Sequence, residues 1–196
     1  MSDKRLPLFP LKAVLFPGGP LPLRIFEPRY VQMVRDCTAN NTEFGVCLIV
    51  EGEESGVPST TVQIGTRARI TDFYTLEDGL LGITATGGER FEIDGISVQH
   101  DGLLLADAID LAEETDEPVA DEHLLLAQVA ERLMERVENL YSDVNKTLFE
   151  SASWVSNRLS ELLPFELNEK QMLLEIDTPY ERMQKIAELM PRFQKD

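Results

Sequence analysis

Six of the eleven prolines fall within the first 28 residues, threaded through apolar runs as Leu8-Phe9-Pro10-Leu11, Phe16-Pro17-Gly18, Leu21-Pro22-Leu23 and Ile25-Phe26-Glu27-Pro28-Arg29-Tyr30. Each proline fixes its own φ, lacks an N–H and biases its predecessor toward extended backbone. The stretch therefore predicts short edge strands and turns. Proline-rich segments that stay disordered lack apolar groups to bury. Here Leu8, Phe9, Val14, Leu15, Phe16, Leu21, Leu23, Ile25 and Phe26 predict a segment tied into a core. It specifies a shape before it specifies a chemistry.

Pro28 sits where a first helical turn tolerates it, and Tyr30, Met33, Val34 and Cys37 follow at helical spacing, so a short amphipathic helix is expected up to Asn40-Asn41. Phe44 to Val50 is continuous, apolar and partly β-branched, as in a buried strand, and Glu51 to Ser59 reads as a loop. Alternation at Val62, Ile64, Ala68 and Ile70, then at Leu81, Ile83 and Ala85, then at Phe91 and Ile93, predicts hairpins turning at Asp78-Gly79 and Gly87-Gly88. Ile96 to Gln99 and Leu103 to Ile109 are two further strands around His100-Asp101-Gly102.

The pattern changes at the acidic stretch Glu113-Glu114-Thr115-Asp116-Glu117-Pro118, which divides the chain into residues 1–118, rich in strands, and residues 119–196, helical. A helix from Asp121 to Tyr141 carries Leu125, Val129, Leu133, Val137 and Leu140 as one stripe, widened by Leu126, Ala130 and Met134 into a helix with partners on two sides. Ser151 caps a second helix that Pro164 stops, Asn168 with Gln171 forms a capping-box pattern for a third, and Thr178-Pro179 opens a last one ended by Pro191. Strands first and helices afterwards give an α+β fold with segregated halves.

A chain of 196 residues buries enough surface to dispense with metal or disulfide staples. Cys37 and Cys47 form no C-x-x-C pair and follow no secretory segment, so both are expected to be buried free thiols in a cytoplasmic protein. No apolar run approaches the roughly 20 residues of a membrane span. The net charge of −17 is unevenly spread: six basic against four acidic residues up to position 50, three against sixteen over 51–120, and nine against fifteen beyond. Neutralising phosphates requires clustered Lys and Arg, so nucleic-acid binding is not expected. The acid excess is a solvated surface or, in its functional reading, a face selecting basic partners.

Catalytic signals are missing. His100 and His123, the only imidazoles, stand 23 positions apart as a turn and a helix-start residue, which supports neither a metal site nor a Ser–His–acid site, and no G-x-S-x-G accompanies any serine. Adjacent acids such as Glu53-Glu54 and Glu113-Glu114 lie in polar loops, where carboxylates stay ionised. Glu27 is placed to stabilise the N–H groups of the helix that Pro28 starts, and Arg24, Arg67, Arg69 and Arg90 are read as charge-assisted ties fastening the opening segment to the sheet.

The string Phe16-Pro17-Gly18, Leu21 to Tyr30 and Met33-Val34 resembles the opening of the Lon protease N-terminal domain. Gly65 to Ile70, Gly88-Glu89-Arg90-Phe91, Leu162-Leu163, Lys170 to Glu175 and Glu181-Arg182-Met183 follow that family's landmarks in order, over nearly the whole chain. The resemblance implies a strongly bent β pseudobarrel of the PUA-like kind, with a short helix, followed by a helical bundle. Closure of the barrel comes from the resemblance alone. It also implies a non-enzymatic module that engages unfolded or degradation-destined polypeptides. No phosphate-cradling G-x-x-x-x-G-K-[ST] string is present, and the family's Ser/Lys proteolytic module would need several hundred further residues. No cofactor is expected. Arg24, Phe26, Glu27, Arg29, Tyr30 and Met33 are the candidate polypeptide-binding residues. The alternatives are an adaptor whose helical half docks a separate ATP-dependent protease or oligomerises, and a small-molecule pocket in the β half.

Overall fold

Early prolines enter two strands with different neighbours. In the computed structural model, which describes residues 5–56, 59–137, 141 and 144–193, Pro7 and Pro10 lie in β1 (Leu6–Leu11) and Pro20 and Pro22 in β2 (Pro20–Ile25). Strand β1 is divided between two partners: Leu6 to Leu8 pair antiparallel with β7 (Leu104–Asp110), and Leu8 to Leu11 pair parallel with β3 (Phe44–Glu51). Each flank is paired over only part of the strand, which accommodates two residues without an N–H. The expected edge strand is thus an interior one at β1. Strand β5 (Ile64–Thr75) joins β3 to β6 (Leu81–Val98), and β6 joins β7, so the sequence β1-β7-β6-β5-β3-β1 closes into a ring. Strand β4 (Thr60–Thr61) pairs antiparallel with the end of β3, and β2 pairs with β6 alone.

Two apolar clusters occupy opposite faces of these strands, as the two-residue period requires. Leu8, Cys47, Phe91, Leu104 and Ala106 share one. Phe9, Val46, Leu103, Ile83 and Ala85 share the other with Tyr30, Met33, Val34 and Cys37 of helix α1 (Pro28–Asn40). Pro28 starts that helix, and Asn41 ends it in the left-handed region at φ 50°. Both cysteines are buried free thiols, and burial pushes that of Cys47 up to about 12. Phe26, expected in the core, is 55% exposed, because it lies where the alternating buried positions Leu23 and Ile25 of β2 give way to the helix start.

The expected turn at Gly87-Gly88 does not form; β6 runs through it for eighteen residues. These glycines answer a different demand. Gly87 exchanges backbone hydrogen bonds with the loop after β1, accepting from Gly18 N at 2.8 Å and donating to Gly19 O at 2.9 Å, and a Cβ there would stand 2.2 Å from the Phe16 carbonyl oxygen. Gly79, by contrast, does turn the chain, with φ +83°.

The chain divides into two units between Ala112 and Glu113. In the second, α2 (Leu124–Met134), α3 (Ala152–Leu162), α4 (Leu167–Glu175) and α5 (Pro179–Leu189) follow one another, and α3 touches the other three. Ser151 and Thr178 cap α3 and α5 as expected, accepting from Trp154 N and Glu181 N. The capping box of α4 is instead Glu166 with Glu169, two residues earlier than Asn168 with Gln171. Helix α2 stops at Met134, before Tyr141, where Arg136 N and Val137 N bond back only three residues and tighten the end. Its buried face is Leu126, Ala127, Ala130 and Met134; Leu125 points to solvent, and Leu140 lies outside the described residues.

The acidic stretch before α2 is anchored by one arginine. Arg182 of α5, fully buried, pairs with Glu114 and donates to the carbonyls of Leu173 (2.8 Å) and Ile176 (2.6 Å). A second tie is the Ala152 N–H, which donates to Glu117 O at 2.8 Å.

Two substitutions check this packing. Gly87→Ala forces a methyl against backbone and should lower unfolding stability by about 2 kcal/mol or more, read by urea or thermal melts; a loss under about 0.5 kcal/mol would contradict the close approach. Arg182→Ala leaves the nearly buried Glu114 carboxylate without its cation and removes a donor from two carbonyls, so a loss of about 3–5 kcal/mol is expected. Stability unchanged within about 1 kcal/mol would show that the arginine does not hold the stretch.

Candidate functional site

Where β1 and β2 approach the start of α1, their side chains enclose an open groove of about 600 Å³. Phe9 and Leu11 come from β1, Leu21 and Leu23 from β2, and Phe26 and Tyr30 from the helix entrance. The strands place them there because β2 shows the groove its odd-numbered residues, which are apolar, while Pro22 and Arg24 sit at the rim. The Tyr30 ring stacks on Phe9 with centroids 4.1 Å apart. Burial pushes the Tyr30 phenol up to about 12 against the opposing pull of Arg29, so the groove floor holds a neutral hydroxyl at physiological pH.

The polar side of the groove is a loop that folds back onto β1. Lys12 Nζ lies 2.5 Å from Glu53 Oε2, and the Lys12 backbone N–H donates to Glu54 Oε1 at 2.6 Å. Gly56 N donates to Glu27 Oε2 at 3.4 Å. The loop is bracketed by Gly52 and Gly56 at φ +107° and +88°, a backbone region open to glycine. Glu53, Glu54 and Ser55 thereby line the groove.

Of the six residues singled out in the sequence, Arg24, Phe26, Glu27 and Tyr30 line this groove together. Arg24 is exposed and pairs with Asp78 at the β5–β6 turn. Contrary to the sequence expectation, the Glu27 side chain makes no capping hydrogen bond; its carboxylate turns to Arg29 Nη2 at 3.0 Å, and its backbone carbonyl accepts from Tyr30 N and Val31 N. Arg29 is buried away from the groove, donating to Gly102 O at 3.0 Å and lying 4.8 Å from the Tyr30 ring centroid. That makes it a tie between helix and sheet. Met33 faces a second groove, of about 740 Å³, with Cys37, Leu103 and Leu105. The second groove is larger but more polar at its rim, where Arg5, Arg67 and Arg69 are each held by a carboxylate: Asp107 at 3.1 Å, Asp110 at 2.7 Å and Glu43 at 3.1 Å.

Phe9, Leu11 and Leu23 are buried core residues that also wall the groove; Glu53 and Glu54 are not singled out as site residues by the sequence. The paired glycines around that acidic loop were the available signal; the partner, Lys12, lies some forty residues away in sequence. Among the described residues there is no cluster of His, Cys, Asp or Glu able to hold a metal ion, and no helix is long and apolar enough to cross a membrane.

Comparison with known proteins agrees with this architecture. Residues 5–192 match the family model of the ATP-dependent protease La (LON) substrate-binding domain. The chain is 29% identical over 185 residues to the Lon protease of Flavobacterium johnsoniae, covering 90% of this chain and 22% of that protein. It is 35% identical over 108 residues to protein cereblon of Danio rerio, covering 52% of this chain and 24% of that one. A crystal structure of a Lon N-terminal domain protein from Xanthomonas campestris superposes with a TM-score of 0.80 at 36% identity, covering 95% of this chain and 98% of the other. The chain spans less than a quarter of the length of these curated relatives. It belongs to the Lon substrate-binding domain family.

Proposed function

We propose that this protein is a polypeptide-binding module that seats apolar side chains of unfolded or degradation-destined chains in the groove between β1, β2 and α1. The observation that carries this reading is the groove itself: six apolar or aromatic side chains, led by the exposed Phe26, around a 600 Å³ opening, in a family described by its binding of substrate. Phe26, exposed, serves as the anchoring surface and the buried Tyr30 as part of the floor, Arg24 and Glu27 as polar rim, while Arg29 and Met33 hold the helix that presents them. Large rigid aromatics give contact area at little conformational cost.

The mode of binding follows from β2. Extended peptides attach to proteins by main-chain pairing at a sheet edge or through side-chain pockets. Pro20 and Pro22 share one parity of β2, so one flank of the strand loses two successive donors. The ladder to β6 is continuous from Pro20 to Ile25, which puts the impoverished flank on the open side. Strand addition there is disfavoured, and side-chain capture is the route left.

Titration of a fluorescently labelled, permanently denatured polypeptide should give saturable binding, weakened about fivefold or more by Phe26→Ala. Truncating so exposed a side chain leaves the fold within about 0.5 kcal/mol, which circular dichroism and melting check. Absence of binding by the native protein, or equal affinity for the variant, removes the groove from the reading.

A further inference from the structure

We infer that the groove selects segments in which an apolar anchor is flanked by lysine or arginine, read by Glu53 and Glu54. This rests on the polypeptide-binding reading above and adds its charge preference. The structure already holds a cation at this place: the Lys12 ammonium lies against Glu53 at the groove wall. Lys12 and Glu53 are both largely exposed, with side chains 49% and 74% accessible, and an exposed pair of this kind is worth under about 1 kcal/mol. A cation brought by a bound segment can take its place at little cost.

The other basic residues near the groove each face a carboxylate of their own: Arg24 pairs with Asp78, both exposed, and the buried Arg29 with Glu27. Lys12 offers one ammonium to a loop with two carboxylates, and Glu54 is met there by a backbone N–H. The surplus is negative, within a section of chain that carries three basic against sixteen acidic residues. An apolar floor beside two carboxylates that share one ammonium complements a cationic amphipathic segment and repels an acidic one. The acid excess read from composition thus has a local use at this loop, beyond keeping the surface solvated.

The test uses the full chain and three labelled peptides that share one central Phe-Leu anchor and differ in flanks: lysine, glutamine or glutamate. In fluorescence anisotropy at low salt the lysine-flanked peptide should bind about tenfold tighter than the glutamate-flanked one, with the difference shrinking in 0.5 M salt as about one Debye length of 4–5 Å screens the contact. The double substitution Glu53→Gln, Glu54→Gln should bring the ratio close to one. Lys12→Gln, which frees Glu53 from its internal partner, should widen it, and gives an independent reading should the double variant fold poorly. A ratio within twofold in the native protein, or one that the double variant leaves unchanged, overturns the charge preference; if the glutamine-flanked peptide still binds and Phe26→Ala weakens it, the groove reading survives that failure. If none of the three peptides binds, both fall together.

Discussion

Strand β1 divides its six residues between two neighbours, and nearly everything else in the first unit is arranged around that division. Three of its residues add to the antiparallel order through β7, and four pair in parallel with β3. That parallel pair turns an open sheet into a ring. Because successive side chains face opposite sides, Leu8 enters one apolar cluster while Phe9 and Leu11 enter the other. Phe9 then stacks on Tyr30, which seats α1 and floors the groove. Closure, helix placement and site therefore share one short strand, and the prolines in it keep that strand extended before any of its partners arrive.

A ring this small brings backbones close together, and glycine is how the sequence meets that demand. A Cβ at Gly45 would lie 2.5 Å from the Phe91 ring, and one at Gly65 would lie 2.6 Å from both Cys47 Sγ and the Val46 carbonyl. Their neighbours on the strands are ordinary, so they go unnoticed in a pattern search. Gly87-Gly88 illustrates the ambiguity. Local chemistry favours a hairpin turn, yet the strand runs on because the pressure comes from Phe16, seventy-one positions back, and from no local need for positive φ.

What was legible in the sequence is what local physics decides. The start of α1 at Pro28, its stop at Asn41, and the caps Ser151 and Thr178 all follow from which backbone N–H groups need a partner within three residues. The α4 capping box differs from expectation because Asn168 is the residue type that local preference favours at an N-cap, whereas the helix starts at Leu167 with Glu166 before it. The length of α2 differs from expectation because apolar residues at helical spacing, Val137 and Leu140, continue past Met134, but the buried stripe runs through Leu126, Ala130 and Met134. The groove was half legible. Its helix side stood out as a dense motif, whereas its β1 and β2 walls were indistinguishable from core, and the closing of Glu53 and Glu54 onto Lys12 depends on a contact that no local rule anticipates.

Charge is used in two unlike ways in this molecule, and burial decides which. Arg182, fully buried with a nearly buried Glu114, has desolvated both ions, so neither tolerates the loss of the other; such a pair fixes where a segment lies. Lys12 with Glu53, Arg24 with Asp78 and Arg5 with Asp107 stay in water, where exchange of partners costs little. A binding surface benefits from the second kind. In the proposed binding role such ions would keep the groove rim solvated when empty and yield their places to an arriving chain, while the apolar floor, whose worth scales with area removed from water, would supply the affinity. The prolines of β2 leave that edge short of donors, which disfavours strand pairing there and would leave side-chain chemistry to decide what is held.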